Sequence, residues 1–189
     1  VFNFDIIGVS RYVMEEIEHF RLSSYTEKSQ RYITLQDDFV LPEEIKNTPF
    51  AEPFIAMVRR QNALYHPLFD RLRAYFFERN PALAENTKKH HILEGWAKED
   101  ARYCTSLATE SQVGLTINAR NLELLLRRFA SHPLREVQAV GESLYGLVRD
   151  IAPSIIIFSK ANNLDQKTYP ELAHFCRHNV QADLAGPGT

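Results

Sequence analysis

Between Glu15 and Tyr32 the chain concentrates side chains suited to holding phosphate. The run Glu15-Glu16-Ile17-Glu18-His19-Phe20-Arg21-Leu22-Ser23-Ser24-Tyr25-Thr26-Glu27-Lys28-Ser29-Gln30-Arg31-Tyr32 leaves a helical pattern and enters a hydroxyl-rich stretch, with Arg21 and Arg31 ten residues apart. Hydroxyl and amide donors fix phosphate oxygens, while guanidinium groups add charge in a forked geometry. A capped helix end followed by a solvated polar turn has the same composition, so the residues alone leave both readings open.

Other chemistries find less support. His90 and His91 are adjacent and so point to different helix faces, and His174 and His178, four apart, have Cys176 as the single further ligand type between them. No metal is expected. Cys104 and Cys176 make no CxxC and follow no secretory segment, which fits a reducing, cytoplasmic setting. A net charge of -2 supplies no field for gripping a long polyanion, so nucleic acid is disfavoured, while local arginines can still take small anions. No apolar run, Phe54 to Val58 and Ile155 to Phe158 included, comes near the roughly 20 residues a membrane helix needs.

Three blocks carry a resemblance. Arg21, Ser24, Ser29, Arg31 and Tyr32, with Glu27 among them, stand at the spacing of the signature of the flavin-dependent thymidylate synthases, and Ile7-Gly8-Val9-Ser10-Arg11 is similar to that family's approach to the same helix. Two positions depart from it: His19-Phe20 stands where the family has Arg-His, and Thr26 where Asn is frequent. Glu99-Asp100-Ala101-Arg102 resembles the family's Glu-x-x-Arg helix end, and Thr116-Ile117-Asn118-Ala119-Arg120 its Thr-x-Asn-x-Arg start of a helix. For the arginine that polarises uracil, an ungapped count reaches Phe129. A one-residue deletion instead reaches Arg128, brings His132 and Glu136 into step, and leaves Arg127 as a second choice.

The resemblance implies an enzyme that binds FAD and methylates carbon 5 of the uracil of dUMP, with methylene-tetrahydrofolate and NADPH as co-substrates. It implies that Ser29, Gln30, Arg31 and Arg102 hold the nucleotide, that Glu16 and Glu27 bind sugar or base, and that Arg128 activates uracil. His19, Phe20, Arg21, Glu27, Asn118, Ala119, Arg120 and His132 would meet the flavin, the Phe20 ring replacing part of the altered tip. It also implies a homotetramer with sites shared between subunits. A specialised UMP/dUMP methylase and a non-catalytic paralogue are the alternatives.

These groups need elements to position them. At 189 residues and 44% hydrophobic, the chain is long enough for one core and is expected to form a single domain. It opens on Val1-Phe2-Asn3-Phe4, already alternating like a strand, so residues are expected to be missing upstream. Ser10 is placed to cap a helix through Arg21, followed by a polar stretch over 23–31 and a strand over 32–35. A surface connection is expected over 37–53. Helices are expected over 54–79, with a stripe of Leu64, Leu68, Leu72 and Phe76, and over 89–103, 119–129 and 133–151, with an extended segment near 111–116. Residues 185–189 have the composition of a disordered end. The fold class is α+β, mostly helical with a small antiparallel sheet.

Overall fold

The computed structural model describes residues 1–27 and 38–184, with side chains through residue 179. The strand expected over 32–35 and the residues Ser29, Gln30 and Arg31 lie outside the described residues. The chain divides into two compact units. One comprises Val1–Phe2, Phe20–Ser23 and the chain from Thr116 onward; the other comprises Asn3–His19 and Ser24–Leu115.

A three-stranded antiparallel sheet, most of it in the second unit, has the order β1-β3-β2 and is formed by β1 (Phe2–Ser10), β2 (Ser24–Glu27) and β3 (Glu110–Ile117). Gly8 has φ 75, a conformation glycine adopts without a Cβ penalty, and it shifts the alternation so that Ile6 and Val9 are buried while Ile7 is exposed. Helix α1 (Arg11–Glu18) begins where the Ser10 hydroxyl accepts the Val13 amide at 3.2 Å. Its next orphan donors, the Arg11 and Tyr12 amides, reach the carbonyls of Thr109 and Leu107 at 2.8 and 3.0 Å.

The helix stops earlier than the periodicity predicts, at Glu18 with His19 as its cap rather than at Arg21. The Tyr25 hydroxyl donates to the Ile17 carbonyl at 2.7 Å, satisfying a last-turn acceptor from outside the helix, and Phe20 packs in the first unit instead. The polar stretch expected from 23 onward is corrected too. Ser24–Glu27 is a sheet strand, because Tyr25 and Thr26 suit the pleat and β3 supplies ladder partners.

Helix α2 (Ala51–Arg79) continues through Pro67 and, after the short α3 (Pro81–Ala84), packs antiparallel to α4 (His90–Ala101). Cross-helix pairs fix that direction: Arg73 Nε to Glu94 Oε1 at 3.0 Å, Phe77 with His90 at 4.9 Å between ring centres, and Tyr65 with Ala101 in the core. The buried face of α2 runs through Val58, Asn62 and Tyr65 to the partly buried Leu68, Phe69 and Leu72. Leu64, expected on this stripe, is exposed, because it lies about 100° from Tyr65 around the helix.

In the first unit, α5 (Ala119–Ala130) packs on α6 (Arg135–Val148) through Leu122, Leu125, Leu126 and Phe129 on one helix and Val137, Gly141, Leu144 and Val148 on the other. Helix α6 is shorter than the expected 133–151, and Ile151 is exposed beyond its end. A further helix, α7 (Asn163–Leu184), was not expected, since Pro170 and the exposed Leu164, Leu172 and Phe175 weaken its pattern. Its start is capped by Asn162, whose Oδ1 accepts the amides of Leu164 and Asp165 at 2.9 Å each.

Candidate functional site

In the first unit, segment 20–22 lies along α5. The Asn118 side chain caps the helix, accepting the Asn121 amide at 3.0 Å, and Asn121 Nδ2 donates to the Leu22 carbonyl at 2.7 Å. Seven residues further along α5, roughly 10 Å, the Arg128 guanidinium stands 5.4 Å from the centre of the Phe20 ring. Asn121 and Arg128 share a helix face, so the segment runs antiparallel to α5, with Arg21 between its two anchor points. Asn118 and the neighbouring Arg120 are exposed at the first turn, as is Arg21. Two sequence blocks, 19–21 and 118–120, are thus brought together except for His19, which belongs to the second unit.

The two arginines at the end of α5 are in different situations. Arg127 is held in a fork: its Nε and Nη2 donate to Asp165 Oδ2 and Oδ1 at 3.0 and 3.1 Å. That hydrogen-bonded pair holds the Asp165 carboxyl below its ordinary range and raises the Arg127 pKa. Glu123, one turn earlier, accepts the amides of Ile157 and Phe158 at 2.8 and 2.6 Å. Glu123 and Arg127 therefore tie the following chain to α5, while Arg128 is exposed over an aromatic face. Phe129, the ungapped match, is buried against Gly141 and carries no charge to any ligand.

His132 is placed inside the unit. Its Nδ1 accepts the Leu134 amide at 3.0 Å, its ring meets Tyr169 edge-on at 4.9 Å, and Gln138 donates to its carbonyl at 2.7 Å. An Nδ1 that accepts from a backbone amide leaves Nε2 as the ring position for the proton of the neutral form.

In the second unit, Arg102 stands in the 3-10 turn Arg102–Cys104 that closes α4, its guanidinium 5.6 Å from the centre of the Tyr65 ring. Burial lowers its pKa, and Tyr65 partly offsets this; arginine nevertheless stays protonated in proteins. On the same face of α2, the Asn62 amide and the Tyr65 hydroxyl are buried with no hydrogen-bond partner among the described residues. Glu16 accepts a hydrogen bond from Tyr12, whose pKa is raised by burial and by that carboxylate. Glu27 accepts from Arg11 Nη1 at 2.6 Å, and Arg11 Nη2 reaches Glu15 at 2.5 Å. The sequence reading missed Arg11 and Asn121 as site-building residues. For Arg11 the i,i+4 spacing to Glu15 was a usable signal.

His90 is taken up by the Ala84 carbonyl at 2.7 Å, and His174 stacks on His178 at 4.0 Å between ring centres. Among the described residues no cluster of three metal-ligating side chains occurs, and no helix is long and apolar enough to cross a membrane.

Residues 1–154 match the family model of the thymidylate synthase complementing protein. The chain belongs to this family. Among similar members, a flavin-dependent thymidylate synthase of Clostridium tetani (strain Massachusetts / E88) is 29% identical over 161 residues, 84% of this chain and 62% of the relative. One from Pyrococcus abyssi (strain GE5 / Orsay) is 31% identical over 147 residues, 72% of this chain and 50% of the relative. The chain therefore spans between half and about three-fifths of the length of these two curated relatives. In fold it is similar to a UMP/dUMP methylase from Streptomyces cacaoi solved with 5-Br dUMP, with a TM-score of 0.54 at 19% identity, covering 78% of this chain and 66% of that one. The family match takes in the motifs on α1, α4 and α5 and ends before α7, so the Arg127–Asp165 fork joins a matched helix to chain outside the match.

Proposed function

We propose that this thymidylate synthase complementing protein family member binds FAD and dUMP and methylates carbon 5 of the uracil, using methylene-tetrahydrofolate and NADPH. One observation carries the reading. Two blocks with the family's flavin-site spacing, 99 residues apart at Leu22 and Asn121, are joined by a 2.7 Å hydrogen bond within one unit. The donor set fits FAD: exposed Arg21 and Arg120 stand beside the first turn of α5, where helix amides and guanidinium charge favour a pyrophosphate, and Phe20 adds an aromatic ring. FAD, when bound, supplies the electron-transfer chemistry that the side chains lack.

The chain's own residues bind, orient and polarise. Arg102 offers a half-buried charge to the nucleotide phosphate, together with Ser29, Gln30 and Arg31. Glu16 and Glu27 accept hydrogen bonds from sugar or base. Of the two arginines at the end of α5, Arg128, over Phe20, is the one not committed to the Asp165 fork, and it stabilises negative charge developing at the O2/N3 edge of uracil. His132 supports the flavin side by holding the α5–α6 turn. The protein works in the cytoplasm as a homotetramer whose sites combine several subunits.

The test is direct. The full chain, incubated with FAD and desalted, is expected to keep flavin absorbance and to form dTMP from dUMP with labelled methylene-tetrahydrofolate and NADPH. A colourless protein with no turnover would identify a non-catalytic paralogue. The His19-Phe20 replacement favours one further comparison, because retuning for UMP would touch this tip: faster methylation of UMP than of dUMP would assign the specialised methylase instead.

A further inference from the structure

We propose that Arg11 is a positioning residue of the nucleotide site, acting through Glu27; this rests on the nucleotide-binding reading above. Its guanidinium bridges two carboxylates, Glu15 one turn along α1 and Glu27 at the end of β2, at 2.5 and 2.6 Å. The bridge is anchored at its root. The Arg11 amide is bonded to Thr109, and the Ser10 cap fixes the turn from which the side chain leaves. With only 22% of its side chain exposed, Arg11 holds this geometry in partly desolvated surroundings, where charge-assisted bonds are stronger than in open solvent.

Two consequences bear on an incoming phosphate monoester. Glu27 is held through Oε1, and a carboxylate keeps a second oxygen with which to accept from a ligand. The α1–β2 corner also carries Glu15, Glu16, Glu18 and Glu27, a concentration of negative charge opposed to a phosphate; Glu18 already has a raised pKa from burial and from Glu27. Arg11 offsets that field where it touches Glu15 and Glu27. Removing it leaves Glu27 untethered and the corner more negative by one charge, so nucleotide affinity falls in a salt-dependent way.

Titration of the FAD-loaded full chain with dUMP tests this. Arg11→Met is expected to weaken dUMP at least tenfold at low salt, with the loss shrinking at high salt, and Arg11→Lys to recover most of the affinity. On a Glu27→Gln background, Arg11→Met is expected to cost much less than it does alone. Wild-type affinity in Arg11→Met overturns the inference. So does a loss that is salt-independent, unrescued by lysine and additive with Glu27→Gln, which marks a packing role. A wild-type protein that binds no dUMP removes the nucleotide-site reading and this inference with it, a result distinct from all of these.

Discussion

At the residue scale, the decisive contrast is between two adjacent arginines. Arg127 spends its fork on Asp165, whereas Arg128 leans over Phe20. Arg128→Ala is therefore expected to lower turnover about a hundredfold, near 3 kcal/mol of transition-state stabilisation, with a much smaller change in dUMP affinity. Arg127→Ala is expected to lower the thermal midpoint and leave turnover per folded protein nearly intact. Steady-state kinetics beside equilibrium binding separates the two, and the reverse pattern would give the role to Arg127. The motif spacing put Arg128 first and Arg127 second, but it could not show the Asp165 fork, because that partner of Arg127 lies 38 residues away and outside the motif. Arg21, Asn118 and Arg120 could be picked out as candidates because their motif spacing is local. Asn121, which joins their two segments, was not, since its partner is a backbone carbonyl that any residue at 22 supplies.

At the scale of elements, close approach sets what can change. A Cβ placed on Gly141 would meet Phe129 Cβ at 2.9 Å, so α6 touches α5 there without room for a methyl group. Gly141→Ala is expected to destabilise the protein by about 1 to 3 kcal/mol despite its better helix propensity, read as a lower urea midpoint at unchanged m-value. The pin at the start of α7 predicts a pH effect. Asp165 has a folded pKa below its unfolded value, so its contribution is fully present above the ordinary aspartate pKa, about 3.9, and is lost as pH falls through the lower, folded value. The stability difference between wild type and Asp165→Asn is thus expected to be largest near neutrality and to close as the pH is taken below that range. Helices α2, α4, α5 and α6 were legible from apolar spacing. The end of α1 was not, because the periodic Phe20 belongs to another unit, and α7 escaped because Leu164, Leu172 and Phe175 are exposed and mark no apolar stripe.

At the scale of the whole molecule, the proposed flavin residues Phe20, Arg21 and Asn118 to Arg120 all belong to the first unit, so FAD is expected to stabilise it by mass action. At one hundred times its Kd, FAD should add about 2.7 kcal/mol, visible as a concentration-dependent rise in thermal midpoint; an unmoved midpoint would argue against a flavin site there. That unit is not continuous in the chain. It takes four residues, Phe20–Ser23, from between two stretches of the other unit. During synthesis these four residues leave the ribosome long before α5 exists, and the Leu22–Asn121 bond must wait for 99 more residues. At ordinary elongation rates that wait lasts roughly 5 to 20 seconds, during which Phe20 and Leu22 have no helix to lie against. A chain stopped at Leu115 has no α5 for the signature segment to lie against, so the order of translation places completion of this corner among the last events of folding.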